Sequence, residues 1–244
     1  MGEYYQGAEN LTGVELANFL HDLISTDVQA VTYANAKVAL AEADVDPNDQ
    51  TKVLTIYSRE SVNREWDSKS WHREHVWPNS RLGVERVDEN DSNIASDLHN
   101  LRAIVPRVNS SRGNKIFDIT TDSDSFYPGD DCKGDVARIL FYMVIRYPHL
   151  KLVDEDLDNN PETNYTLEGA KMAKFSILLQ WHREDPVDDF ERNRNDVIYD
   201  WQNNRNPFID HPEFAAMIFE DESNPLTYNT VILFIERKRN FVWN

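Results

Sequence analysis

The stretch that decides the fold is W-H-R-E-H-V-W-P-N-S, Trp71 to Ser80, followed by D-L-H-N-L-R-A-I-V-P, Asp97 to Pro106, and R-V-N-S-S-R-G-N, Arg107 to Asn114. The bulky residues of the first two segments predict short strands. Pro106 is expected to end the second strand because proline has no N–H for a ladder. The third segment predicts a short helix rich in hydrogen-bond donors. A strand, loop, strand and helix in this order can hold an imidazole and a metal ligand across a gap the size of a phosphate.

The rest of the chain is predicted to be mostly helical. Thr12–Glu15 has the pattern of a capping box, with Thr12 as N-cap, and Leu16, Phe19, Leu20 and Leu23 follow at helical spacing. Further helices are predicted over Val28–Ala43, Asp135–Tyr147 (with Asp135 as its cap), Leu167–Trp181 and Val187–Trp201, a strand over Val53–Ser58, and loops over Asp44–Gln50, Ser61–Ser70, Asp118–Asp131 and Asp154–Thr163. No internal repeat or linker is visible. We expect one α+β domain, mostly helical, that spans residues 1–244.

The charge distribution bears on the class of partner. The chain carries 25 basic and 43 acidic residues, a formal net charge of −18, which repels nucleic acid at long range. The acidic excess lies outside the central stretch: Arg59 to Lys115 holds 10 basic and 9 acidic residues, a net charge of +1, which leaves −19 for the remainder. A locally neutral to positive strip therefore surrounds the predicted site.

Other features exclude several classes of protein. No apolar run approaches the roughly 18 residues of a membrane span; the longest ones, Ile139–Ile145 and Val231–Ile235, suit a buried helix or strand. The single cysteine, Cys132, excludes an internal disulfide and a Cys-rich zinc site. The first residues, M-G-E-Y-Y, do not resemble a signal peptide. The chain is therefore expected to be either cytoplasmic or a mature secreted protein that was given a start Met.

With these motifs the sequence resembles the bacterial endonuclease I family, a branch of the ββα-metal (His-Me finger) nucleases. His75, Asn100 and Asn109 stand where that group has its three signature residues, and the resemblance covers nearly the whole chain. It extends to three distant segments: K-G-D-V-A-R-I-L-F-Y-M at Lys133–Met143, W-H-R-E-D-P-V at Trp181–Val187 and N-R-N-P-F-I-D-H-P-E at Asn204–Glu213. The expected fold is thus a ββα-metal core at about residues 71–116 within the α+β domain.

The resemblance implies a role for each matching residue. His75 is expected to be the general base, because a neutral imidazole with an ordinary pKa of about 6.5 can take a proton from water near neutral pH. Glu74 and Asn109 are expected to hold one divalent cation through hard oxygens, which suits Mg²⁺, with Mn²⁺ or Ca²⁺ as substitutes. Asn100 is expected to clamp the loop that follows His75.

The basic side chains and the partners are expected to follow the same pattern. Arg112 is predicted to act at the catalytic site, and Arg102, Arg107 and Arg112 are candidates for phosphate contacts because a guanidinium fork matches phosphate oxygens. The implied activity is sequence-independent endonuclease cleavage of DNA, with RNA as a further substrate, leaving 5′-phosphate and 3′-hydroxyl ends. We expect a monomer that does not bind membranes.

The sequence departs from some members of the family. Cystine-bearing members brace this region with disulfides, which Cys132 alone cannot do, so the chain is closer to the cysteine-poor secreted branch and is expected to be secreted. The strongly negative charge is also unusual for a nuclease.

Alternative interpretations remain open at this point. The chain could be an inactive nucleic-acid- or calcium-binding module on a nuclease scaffold, although the presence of His75, Glu74 and Asn109 favours the enzyme. Asp154–Asn159 has the first oxygen positions of an EF-hand and lacks the rest, which favours a solvated acidic loop over a calcium site. His72 is expected to be exposed or structural, and for His99 a structural hydrogen bond is favoured over a direct role.

Overall fold

The computed structural model describes residues 2–220. The α-helices in this range are α1 (Gly13–Ser25), α2 (Tyr33–Ala43), α3 (Pro106–Arg112), α4 (Lys133–Arg146), α5 (Phe175–Glu184), α6 (Asp189–Gln202), α7 (Pro207–Asp210) and α8 (Phe214–Phe219). The strands are β1 (Val45–Asp46), β2 (Asp49–Leu54), β3 (Ser61–Asn63), β4 (His72–His75), β5 (Leu101–Ile104), β6 (Ile116–Phe117), β7 (Ser125–Phe126), β8 (Lys151–Val153) and β9 (Lys171–Ala173). The α+β class with a large helical share is confirmed.

The apolar helix α4 forms the centre of the fold. Its residues from Gly134 to Ile145 are all buried, and α1, α5 and α7 pack around it. A second buried cluster lies between α2 and the β4–β5 pair and includes Leu40, Trp71 and Leu101. Trp71, just before β4, belongs to this second cluster, whereas Val76 and Trp77, just after β4, belong to the cluster around α4, so apolar packing holds the chain at both ends of β4.

The central strand, loop, strand and helix are confirmed. β4 and β5 are antiparallel, with His72 opposite Ile104 and His75 opposite Leu101. Pro106 begins α3 at its first helical position, where the missing N–H costs nothing. Within residues 2–220, β4 pairs with β5 only. The edge of β4 that lies opposite β5 is therefore not covered by another strand of this range.

The remaining strands form three small sheets. β1, β2 and β3 are antiparallel, with Val53 opposite Val62, whereas β6 pairs with β7 and β8 with β9 in parallel. None of the helices between residues 2 and 220 has the length and apolar character that crossing a membrane requires.

Several predicted boundaries were wrong for local reasons. α2 begins at Tyr33 and not at Val28, because the Thr32 hydroxyl accepts the N–H of Asn35 and starts the helix there. Thr12 is the N-cap residue of α1, yet its side chain makes no capping hydrogen bond. Asp135 does not cap α4 either; it lies in the first turn and accepts a hydrogen bond from Arg102.

The strand and loop predictions were wrong at other places. β2 covers Asp49–Leu54 and ends before Tyr57, whose left-handed backbone (φ +66°) turns the chain. The predicted helix Leu167–Trp181 is split into the parallel strand β9 and α5. The apolar run Val231–Ile235 lies outside the described residues.

Candidate active site

His75 lies at the end of β4 and is half-buried. Its ring stacks on Tyr33 of α2, with ring centroids 5.5 Å apart, and the guanidinium of Arg73 lies 3.5 Å from the centroid of the Tyr33 ring. Because side chains alternate along a strand, Arg73 and His75 share one face of β4. The imidazole is thus supported on one side by an aromatic ring that is itself held by a cation.

A single hydrogen bond defines the protonation state of His75. Its Nε2 lies 2.8 Å from the backbone carbonyl of Ala95, which can only accept, so Nε2 carries the proton and Nδ1 has a free lone pair. Burial lowers the pKa of His75 to about 4; the Ala95 carbonyl opposes this, and the cations of Arg73 and Arg86 add to it. The ring is neutral at neutral pH, the form that accepts a proton.

Glu74 points to the opposite face of β4 and is 3% exposed. Its Oε1 accepts a hydrogen bond of 2.9 Å from the Tyr57 hydroxyl, and Arg112 Nε lies 3.2 Å from the same oxygen. No hydrogen bond from residues 2–220 reaches Oε2. Burial raises the pKa of Glu74 to about 7, although Arg112 and Tyr57 act in the other direction. Burial therefore disfavours the charged form of Glu74 more strongly than the neighbouring cation favours it.

Arg112 ends α3 and is fully buried. Besides the ion pair with Glu74, its guanidinium donates to the carbonyls of Val76 (2.8 Å), Lys115 (2.6 Å) and Gly113 (3.3 Å). It therefore supports Glu74 and the loop after His75 from behind. This burial does not favour the predicted contact between Arg112 and phosphate.

Asn109 lies in the middle of α3, on the side that contacts His72. Its Nδ2 is 3.3 Å from His72 Nδ1, and both side chains are half-buried. His72 and Glu74 are two residues apart and share a face of β4. The structure thus brings Glu74, Asn109 and the unpredicted His72 to one face of β4, and His75 to the other.

Asn100 clamps the loop after His75. Its Oδ1 accepts the N–H of Trp77 (2.7 Å) and its Nδ2 donates to the Trp77 carbonyl (3.1 Å). Asn100 is fully buried and lies on a 3-10 helix, Leu98–Asn100, and not on a strand as predicted. The reason is Asp97, which accepts the N–H of His99 and starts this turn.

The other predicted arginines have different surroundings. Arg102 is 1% exposed, and its guanidinium is bound by Asp44 and Asp135, so it is removed from the candidates for phosphate contact. Arg107 is exposed and paired with Glu60. Arg86 is exposed, its positive charge contributes to lowering the pKa of His75, and it forms no ion pair within residues 2–220.

The donor set around Glu74 fits one hard divalent cation. The carboxylate leaves Oε2 without a hydrogen bond from the described residues, and Asn109 uses its nitrogen toward His72, so that its amide oxygen is also free of such bonds. Two hard oxygens with room for water suit Mg²⁺. The described part of the chain contains no group of three or more His, Cys, Asp or Glu side chains that could hold a metal.

The acidic loop does not have the geometry of an EF-hand. Asp154 accepts both the N–H and the hydroxyl of Ser176, and Asp156 pairs with Lys174. The Arg81 guanidinium donates hydrogen bonds to the Asp158 carbonyl and to the side-chain oxygen of Asn159. These oxygens are used for local contacts, in agreement with a solvated loop.

Sequence reasoning missed Tyr33, Tyr57 and the contact of His72 with Asn109. Tyr33 and Tyr57 lie far from the motif and reach it only through the tertiary fold. For His72 a signal was available, because its spacing of two residues from Glu74 places both on one face of a strand. His99 is buried, 3.2 Å from the Asn204 carbonyl through Nε2, which agrees with a structural role.

Comparisons with a family model and with individual proteins all match this chain to nucleases. The family model described as Endonuclease I matches residues 12–125 and 118–213. An extracellular ribonuclease of Bacillus subtilis is 40% identical over 239 residues, covering 88% of this chain and 78% of the relative. An extracellular ribonuclease of Bacillus amyloliquefaciens is 39% identical with the same coverage. The Endonuclease-1 of Buchnera aphidicola is 24% identical over 212 residues, 76% of this chain and 78% of the relative.

Proposed function

The chain belongs to the endonuclease I family, and from this premise we propose that it is a metal-dependent nuclease that cleaves DNA and RNA without sequence preference. Family membership supports a nucleic-acid hydrolase. The observation that carries the finer proposal is the hydrogen bond between His75 Nε2 and the Ala95 carbonyl, which leaves Nδ1 unprotonated and able to accept a proton.

His75 acts as the general base in this proposal. Its Nδ1 accepts a proton from the attacking water, and the Ala95 carbonyl then stabilises the imidazolium through the Nε2 proton. Tyr33 and Arg73 prevent the ring from rotating away from the water. In this mechanism the water and the phosphate bind at the uncovered edge of β4, where His75 acts from one face of the strand and Glu74 from the other.

Glu74 and Asn109 hold the divalent cation. When bound, Mg²⁺ supplies positive charge to the phosphate and to the departing oxygen. Arg112 and the Tyr57 hydroxyl fix Oε1 of Glu74, which leaves Oε2 for the cation. Asn100 fixes the backbone at Trp77 and so keeps β4 and the following loop in register. In-line attack would leave 5′-phosphate and 3′-hydroxyl ends.

Arg86 is our candidate for a phosphate contact in place of Arg112 and Arg102. It is exposed and its positive charge acts on His75, and contacts to phosphate carry no sequence information. Because the chain has a net charge of −18, such a local cation matters more here than in a basic nuclease.

The names of the relatives bear on substrate and location. Two relatives near 40% identity are named extracellular ribonucleases, which supports RNA as a substrate beside DNA and supports secretion. The more distant relative is named an endonuclease without reference to RNA.

The proposal is tested with supercoiled plasmid and a long single-stranded RNA incubated with Mg²⁺, with EDTA, and with EDTA followed by excess Mg²⁺. We expect both polymers to be cut internally, with loss of cleavage in EDTA and recovery on adding metal. Full cleavage in EDTA would contradict the metal dependence, and no cleavage of either polymer would favour the inactive binding module.

A further inference from the structure

The contact between His72 and Asn109 has a chemical consequence for the proposed metal site. Asn109 Nδ2 lies 3.3 Å from His72 Nδ1. An amide nitrogen donates and cannot accept, so His72 Nδ1 accepts and the proton of this imidazole is on Nε2. Neither ring nitrogen then has a free lone pair for a metal.

An asparagine ligand needs its amide held in one of two orientations. The side chain ends in an oxygen and a nitrogen of nearly equal size, and only the oxygen binds Mg²⁺. If the amide turned over, its NH₂ group would take the place of the oxygen, and an NH₂ group donates hydrogen bonds and does not bind a cation.

We propose that His72 is a positioning residue that holds the amide nitrogen of Asn109 and thereby turns the Asn109 oxygen toward the divalent cation, an inference that rests on the proposed function. His72 can do this because it is two residues from Glu74 on the same face of β4, while α3 brings Asn109 to that face. His72 itself does not bind the cation.

The expected effect follows from other metal sites. Residues that orient a ligand without touching the metal typically contribute about 10- to 100-fold to metal affinity. A merely structural His72 would instead change the stability of the fold and leave the affinity for metal unchanged. Metal affinity and folding stability therefore separate the two roles.

The experiment measures Mn²⁺ binding to the full chain from the EPR signal of free Mn²⁺, in the wild type and in His72→Leu, His72→Asn and Asn109→Ala. Leu removes the acceptor, whereas the Oδ1 of Asn stands near the position of Nδ1 and can accept. We expect the Mn²⁺ dissociation constant to rise about 10- to 100-fold in His72→Leu and to stay within a few-fold of wild type in His72→Asn. His72→Val, which suits a strand, replaces His72→Leu if that variant does not fold.

The outcomes separate this inference from the proposed function. If Asn109→Ala weakens Mn²⁺ binding while His72→Leu and His72→Val do not, the positioning role is wrong and the metal site stands. If Asn109→Ala binds Mn²⁺ like the wild type, the metal site itself is wrong and the positioning role falls with it. Pulsed EPR can detect an imidazole nitrogen that is bound directly to Mn²⁺. If the wild type gives such a nitrogen signal and His72→Leu loses it, His72 is a ligand and the inference is overturned.

Discussion

Arg112 Nε lies 3.2 Å from Glu74 Oε1, and both side chains are removed from solvent, with Arg112 at 0% and Glu74 at 3% exposure. The nitrogen is not aligned for a hydrogen bond, so the contact is an ion pair, while the other guanidinium nitrogens donate to backbone carbonyls. The proposed metal ligand and the loop after the proposed base therefore depend on the same buried cation.

Removal of Arg112 should destabilise the fold strongly. Arg112→Leu leaves Glu74 buried without its cation and three carbonyls without a donor, which should lower the free energy of unfolding by about 3–5 kcal/mol. Urea denaturation measures this. Arg107→Leu is the matched control, because Arg107 forms an exposed pair with Glu60 and should cost about 0–1 kcal/mol. Equal losses in both variants would contradict the supporting role of Arg112.

Asn100 should matter for both stability and turnover. Asn100→Ala leaves the buried N–H and carbonyl of Trp77 without partners, at a cost of about 1–3 kcal/mol for each unsatisfied group. We expect a lower melting temperature, and a lower kcat measured below it, since β4 and the loop after His75 lose their register. The exposed Asn90→Ala is the control. A variant with wild-type stability would show that the clamp does not hold this loop.

The central motif could be predicted from the sequence, but the contacts of the residues around it could not. The strand, loop, strand and helix followed from residues close together in the chain, where strand alternation and Pro106 act locally. The burial of Arg102 and Arg112 could not be predicted, because an arginine in a basic stretch looks the same whether it faces solvent or, like Arg102, meets Asp44 and Asp135 from distant segments.

Local hydrogen bonds explain the wrong boundaries in the same way. Thr32 and Asp97 each start a turn by accepting a backbone N–H, and these bonds override the apolar pattern around them. The support of His75 by Tyr33 comes from a helix more than thirty residues earlier and leaves no pattern in the motif itself.

Buried His99 should make folding stability dependent on pH. Burial lowers the pKa of His99 to about 4, with Asp97 opposing the shift and Arg194 adding to it. The unfolded chain, with a pKa of 6.5, binds more protons between these values, so stability is fully present above pH 6.5 and falls as the pH drops toward 4. The difference between the two pKa values of His99 corresponds to about 3 kcal/mol in the free energy of unfolding.

The variant His99→Gln isolates this contribution, because His75 also titrates in the same range. Chemical denaturation from pH 4.5 to 7 should show a smaller pH slope in His99→Gln than in the wild type. Identical slopes would mean that His99 has the same pKa in the folded and the unfolded chain, and would contradict the predicted pH dependence.

A change of ligand type at Asn109 should change the preferred metal. Asn109→His replaces a hard oxygen by an imidazole nitrogen, which suits Ni²⁺, Co²⁺ and Zn²⁺ better than Mg²⁺. We expect cleavage with Mg²⁺ to be lost and partly regained with Ni²⁺ or Co²⁺ in a plasmid assay over a panel of metals. Asn114→Ala is the control and should keep its Mg²⁺ activity. Full Mg²⁺ activity in Asn109→Ala would show that Asn109 does not coordinate the cation.

In the proposed mechanism His75 takes the proton of the attacking water and does not hold the metal. The most direct measurement compares single-turnover cleavage and Mn²⁺ affinity in the wild type and in His75→Ala, with circular dichroism as the folding control. We expect cleavage to fall by about 10²–10⁴-fold while the Mn²⁺ dissociation constant stays within a few-fold of the wild-type value. Near wild-type cleavage by His75→Ala, or a loss of Mn²⁺ binding that parallels the loss of cleavage, would contradict this mechanism.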